Sequence, residues 1–172
     1  MIIEESGMRF GEYPDNKVFH IEESPQYQIR LMPNGIKTCE FILLRNPSLC
    51  FIEAKKSCPN QILEDTAEEK AKKYNEYIDD ITTKMRHSFD LYASILLERH
   101  SAEGVSREML ENKLSGQDAH INMILVVKDA ERGWLIPLKE KLEKELKCER
   151  RIWNAQLVVI NEEQARKKRL VL

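Results

Sequence analysis

Residues 37–45 and 49–55 are dense in Phe, Ile, Leu and Cys, and Asn46-Pro47-Ser48 separates them. Short apolar runs bounded by turn residues predict two strands of a hairpin. Residues 17–23 alternate, with Val18, His20 and Glu22 on one face and Phe19 and Ile21 on the other, and predict a further strand. Upstream, Gly7, Gly11 and Pro14 argue against a regular element in residues 1–16. Ser24-Pro25 ends the strand or opens a helical turn through residues 27–31, and Pro33-Asn34-Gly35 marks a turn into the hairpin.

Beyond Ser57 the period changes. Leu63, Ala67, Tyr74, Ile78, Ile81, Met85, Phe89, Tyr92 and Leu96 keep close to helical spacing, and Thr66 with Glu69 supplies a capping box. The pattern predicts a helix over residues 63–99, bent near Thr82-Thr83. A helix this long exceeds the usual globular length, so part of it is expected to project from the sheet or to pack on a second subunit as a homodimer. Residues 101–117 read as a connector with a short helix, capped by Ser106 and followed by Gly116. The run HINMILVV at 120–127 predicts a buried strand. A second amphipathic helix follows at 134–147, with Pro137 in its first turn. A last strand is expected at 152–160, then a short basic helix whose cap runs from Asn161 through Gln164. This order predicts one α/β domain spanning residues 1–172, a mixed sheet with a central hairpin flanked by helices, one of them long.

Composition narrows the class. With 33% charged and 42% hydrophobic residues the chain suits a globular domain with exposed helices. No run approaches a membrane span and the N-terminus lacks a signal pattern, so no membrane contact and a cytoplasmic location are expected. Cys39, Cys50, Cys58 and Cys148 show no paired metal-ligand spacing and are expected to be reduced. A net charge of −2 means that a nucleic-acid partner would need a local basic surface. Arg150-Arg151, the run Arg166-Lys167-Lys168-Arg169, and Lys70, Lys72, Lys73 and Lys84 are the candidates, though each set also fits ordinary solvated charge.

Three charged residues stand in the apolar hairpin: Glu40, Glu53 and Lys55. Burying unpaired charge is costly, so such residues need a reason. Period two puts Glu53 and Lys55 on one face. Whether Glu40 joins them depends on the turn: an even-numbered loop (Asn46-Pro47, or Arg45 to Ser48) or a bulge puts it opposite Glu53, whereas direct pairing of Arg45 with Leu49 sends it to the other face. Two carboxylates on one face suit Mg²⁺ or Mn²⁺, which lowers the pKa of a bound water and offsets charge on a phosphate. A neighbouring lysine can orient that water or offset transition-state charge.

Glu40 on the first strand, with Glu53-Ala54-Lys55 closing the second, resembles the PD-(D/E)xK nuclease superfamily. The resemblance implies a restriction-endonuclease-like core and Mg²⁺-dependent cleavage of nucleic acid, DNA being the expected partner. Standalone bacterial members often act in defence or DNA maintenance. By position, Glu40 and Glu53 would be the metal-binding acids, Lys55 the catalytic lysine and the Ala54 carbonyl an added ligand. Members often draw a further acid from an N-terminal helix; here Glu22 or Glu23 is the best placed, with Glu12 behind them. Cys39 stands where the motif has Pro, and Glu replaces the commoner Asp. The alternative reading is an inactive module that keeps the fold and binds nucleic acid or protein.

Overall fold

The computed structural model describes residues 1–59, 67–111 and 119–172. Its centre is a five-stranded mixed sheet in the order β3-β4-β5-β6-β7. The strands are β3 (Val18–His20), β4 (Phe41–Arg45), β5 (Ser48–Lys55), β6 (His120–Val127) and β7 (Gln156–Asn161). The first three run antiparallel in succession, and β5-β6-β7 run parallel. Parallel neighbours need crossovers, and helices supply them: α1 (Ala67–Leu96) and the short α2 (Arg107–Glu111) between β5 and β6, then α3 (Arg132–Glu145) and α4 (Lys147–Ile152) between β6 and β7. A final helix, α5 (Glu162–Lys167), opens on the expected capping box of Asn161 and Gln164.

The two sheet faces are covered differently. On one, Phe51, Ile42, Leu125 and Val159 pack under Ile81, Met85, Phe89 and Tyr92 of α1 and under Leu135, Leu138 and Leu142 of α3. On the other, Phe41, Ile52 and Val126 meet Ile3, Met8 and Phe10 together with Ala165, Leu170 and Val171. Helices α1, α2 and α3 therefore cover one face, and the short α5 packs on the other through Ala165. Cys39 lies in the first core and Cys50 in the second.

Several boundaries differ from expectation, each for a local reason. Residues 1–16 contain a hairpin, β1 (Ile3–Glu5) with β2 (Met8–Phe10). Ser6 and Gly7 both take positive φ, the conformation of a tight two-residue turn, so Gly7 builds the hairpin instead of interrupting a strand. β3 stops at His20 because the chain turns, with Ser24 N–H donating to the Ile21 carbonyl. Tyr27–Leu31 forms one turn of π-helix. α1 runs unbroken through Thr82-Thr83 and ends at Leu96, not residue 99. Left-handed Glu98 closes it, with Arg99 N–H reaching the Ser94 carbonyl and Glu98 N–H the Ile95 carbonyl. The last strand starts at Gln156 because residues up to Ile152 continue as helix, and left-handed Asn154 redirects the chain. Leu63, Thr66, Gly116 and Gln117 lie outside the described residues.

α1 does project in part. Its first turns are largely exposed, whereas Ile78 to Ile95 carry its buried positions. These first turns carry mainly Glu and Lys, with Tyr74 and Tyr77 packed against the protein's own core. Among the described residues no helix is long and apolar enough to cross a membrane.

Candidate functional site

The hairpin turn decides the site. Arg45 pairs with Ser48, leaving Asn46-Pro47 as a two-residue loop. This is one of the even loops that the clustering required. The register runs on to Phe41 opposite Ile52, and Glu40 N–H donates to the Ile52 carbonyl at 3.1 Å. Glu40 therefore lies opposite Glu53, and period two puts Lys55 on the same face, beneath α1. No bulge is needed.

α1 contributes what the hairpin lacks. Lys84 Nζ lies 2.9 Å from Glu53 Oε1 and 3.6 Å from Glu40 Oε1. Lys55 Nζ lies 3.1 Å from the same Glu53 oxygen and 2.9 Å from Asp80 Oδ2. Lys37 Nζ donates to Asp80 Oδ1 at 2.6 Å. Ser88 donates to the Lys84 carbonyl and accepts from Cys39 N–H at 2.7 Å, tying the helix to the chain entering Glu40. Asp80 meets Lys55, Lys84 meets Glu53, and Phe89 meets Phe51 at 5.7 Å between ring centroids, so α1 runs antiparallel to β5. Its exposed first turns extend past the carboxylate end of the sheet.

A second set of acids reaches the same place from outside the hairpin. Glu22, in the turn after β3, and Glu5, ending β1, each place a carboxylate oxygen within 4.8 Å of one from Glu40. Glu22 is thus the predicted additional acid that joins the group, coming from a turn and not from an N-terminal helix. Glu23 does not join: it is exposed and pairs with His20 Nδ1 at 3.3 Å. Glu12 is exposed as well. The Ala54 carbonyl accepts a hydrogen bond from Ser6 Oγ at 3.0 Å.

The electrostatics follow from burial. Glu53 is fully buried; its Oε1 takes both lysines, and its Oε2 has no partner among the described residues. Burial pushes its carboxyl upward against the pull of Lys84 and Lys55. Burial and then the Glu53 charge push Glu40 up to about 8, against the pull of Lys84. Burial, then Glu22, raises Glu5. Burial would also raise Asp80, but hydrogen bonds from Lys37 and Lys55 hold it below the usual range. Burial opposes the charge of Lys84 and Lys55 most strongly of any single cause, yet both are raised, because Glu53 acts together with Glu40 on Lys84 and with Asp80 on Lys55.

Fully ionised, five carboxylates (Glu5, Glu22, Glu40, Glu53, Asp80) would face three ammonium groups (Lys37, Lys55, Lys84), a surplus of two negative charges. Glu5, Glu22 and Glu40, whose carboxylate oxygens lie within 4.8 Å of one another, are the set that suits a hard divalent cation; Glu53 lies outside that set.

Sequence reasoning did not find Asp80, Glu5 or Lys37, and it placed Lys84 on a groove wall or a solvated face instead of between two acids. A usable signal was present: Asp80, Lys84 and Ser88 recur every fourth residue, one position ahead of Ile81, Met85 and Phe89. Of the basic clusters, Arg166 and Lys167 pair with Glu162 and Glu163 of their own helix, and Arg150 pairs with Glu143. No family model, no curated protein and no solved structure matches the chain.

Proposed function

We propose that this protein is a metal-dependent nuclease hydrolysing nucleic-acid phosphodiester bonds, with DNA as the expected substrate. The observation that carries the reading is the register that sets Glu40 opposite Glu53 with Lys55 beside them on one face. The helix that crosses from β5 to parallel β6 supports the restriction-endonuclease-like reading, while no α-helix precedes the hairpin among the described residues, which departs from it.

Glu40, Glu53 and Glu22, with Glu5 as an added carboxylate, are the residues to hold Mg²⁺ or Mn²⁺. The bound ion supplies a water of lowered pKa and offsets charge on the phosphate. Glu53 and Asp80 hold the Lys55 ammonium beside the carboxylates, where it steadies the attacking water and the charge that develops on the phosphate oxygens. Lys70, half-buried, and Lys72, which pairs with Glu76 at 4.0 Å, stand on the first turns of α1. Glu68, Glu69 and Glu76 are interleaved with them, so positioning by the site is expected to matter more than bulk attraction.

The test is cleavage of supercoiled plasmid with Mn²⁺ by the native chain and by Lys55→Ala. Loss of about 100-fold or more in the variant is expected, the usual scale for removing a charge-stabilising donor. One observation favours the second reading, an inactive binding module: Lys84 already bridges the two acids. Equal background cleavage by both proteins would support that module and sink the nuclease.

A further inference from the structure

Lys84 has no counterpart in the hairpin motif. It lies on the covered face of α1, is mostly buried, and its ammonium pairs with both hairpin acids, Glu53 at 2.9 Å and Glu40 at 3.6 Å. Lys55 differs, since Asp80 gives it a second anchor outside the pair. The backbone behind Lys84 is also fixed, because Ser88 links the Lys84 carbonyl to Cys39 N–H, one residue before Glu40. The helix therefore delivers one positive charge to the two carboxylates that face each other across the hairpin.

We propose that Lys84 is a positioning residue that holds Glu40 and Glu53 together and competes with a divalent cation for their oxygens, thereby setting the metal affinity of the site. The inference rests on reading Glu40 and Glu53 as metal-binding acids. Two facing carboxylates without an intervening cation repel each other, so Lys84 keeps the pair assembled. The same ammonium, a few ångströms from the ligand oxygens, repels an incoming ion of charge +2. Glu53 Oε2, buried and without a partner among the described residues, is the ligand atom that Lys84 leaves available. The site is thus ready-made but of moderate affinity, and the ion must displace the ammonium or share the acids with it.

The test is Mn²⁺ titration of the full chain, by calorimetry and by the loss of free-ion electron-spin signal, for the native protein, Lys84→Met and Lys84→Arg. Lys84→Met is expected to bind Mn²⁺ about tenfold more tightly or better, since one nearby ammonium's repulsion is removed. Lys84→Arg is expected to stay near the native affinity. Melting in EDTA and in Mn²⁺ guards against a folding artefact: Lys84→Met should melt lower in EDTA and gain more from Mn²⁺ than the native chain. Equal or weaker Mn²⁺ binding by Lys84→Met, or a variant that Mn²⁺ does not refold, overturns the competition and leaves the nuclease reading standing. Mn²⁺ binding by none of the three proteins overturns the metal site itself, and both proposals with it.

Discussion

Two stripes run side by side along α1, and they meet the same sheet face in opposite ways. Ile81, Met85, Phe89 and Tyr92 are buried against Phe51 and its neighbours, where each contact removes apolar surface from water. Asp80, Lys84 and Ser88, one residue earlier at each turn, meet the end of the hairpin, where the strands present Cys39, Glu40, Glu53 and Lys55. The first stripe holds the helix on the sheet. The second places charges that burial makes costly, as the raised carboxyls of Glu40 and Glu53 record. A helix used only for packing would carry apolar residues at both stripes. The polar one lies where two strand-borne acids, Glu40 and Glu53, face each other.

The comparison can be broken at either stripe. The largest expected effect comes from the apolar side: Phe51→Ala removes a fully buried ring that packs on Phe89 and Tyr92. It should cost about 3–5 kcal/mol, read as a fall in the urea midpoint at unchanged slope. A cost below about 1 kcal/mol would show that the stripe is not what holds α1 down.

A smaller effect, on the order of 1–3 kcal/mol, belongs to the polar side and depends on pH. Glu40 ionises near 8 in the folded chain and near 4.5 when exposed. Between those values the folded chain keeps a proton that the unfolded chain has released, so raising the pH favours unfolding. Glu53 and Glu5 are raised too and act with the same sign, whereas lowered Asp80 matters only in acid, below its ordinary 3.8. In EDTA, stability should fall from pH 5 to 8, and Glu40→Gln should flatten that slope. A native chain whose stability rises steadily over this range would contradict the assigned burial.

The smallest effect is expected at the rim. Lys37 is more than half exposed, and its pairing with Asp80 is open to water. Lys37→Ala should change stability by about 0–1 kcal/mol and lose even that in high salt. A larger change would mean that Asp80 depends on Lys37 to hold Lys55 in place.

The hairpin was the most legible part of the chain, because Asn46-Pro47-Ser48 is turn chemistry and Glu53-Ala54-Lys55 is informative at the end of an apolar strand. The register was open until the loop length was known, since one residue of slip sends Glu40 through the sheet. The helices could be read from their periodicity, but their ends could not. Left-handed Glu98 ends α1 with a residue type that does not announce it, whereas Asn154 redirects the chain with one that takes this conformation readily. The N-terminal hairpin was missed because Gly7 was weighed as a breaker, and with it went Glu5. Lys84 and Asp80, although they recur with Ser88 every fourth residue, were harder to read for another reason. On a helix rich in Lys and Glu, a buried ammonium has the same letter as a solvated one, and only the strand opposite tells them apart.

The central claim is that these acids form one divalent-ion site on the helix-covered face of the hairpin. Anomalous scattering from a crystal of the protein soaked in Mn²⁺ tests it most directly. The account predicts a peak bonded to oxygens of Glu40 and at least one of Glu53, Glu22 and Glu5, on the Lys55 side of the sheet. A map with no peak there at saturating Mn²⁺, or with Mn²⁺ held only by surface carboxylates elsewhere, would contradict it.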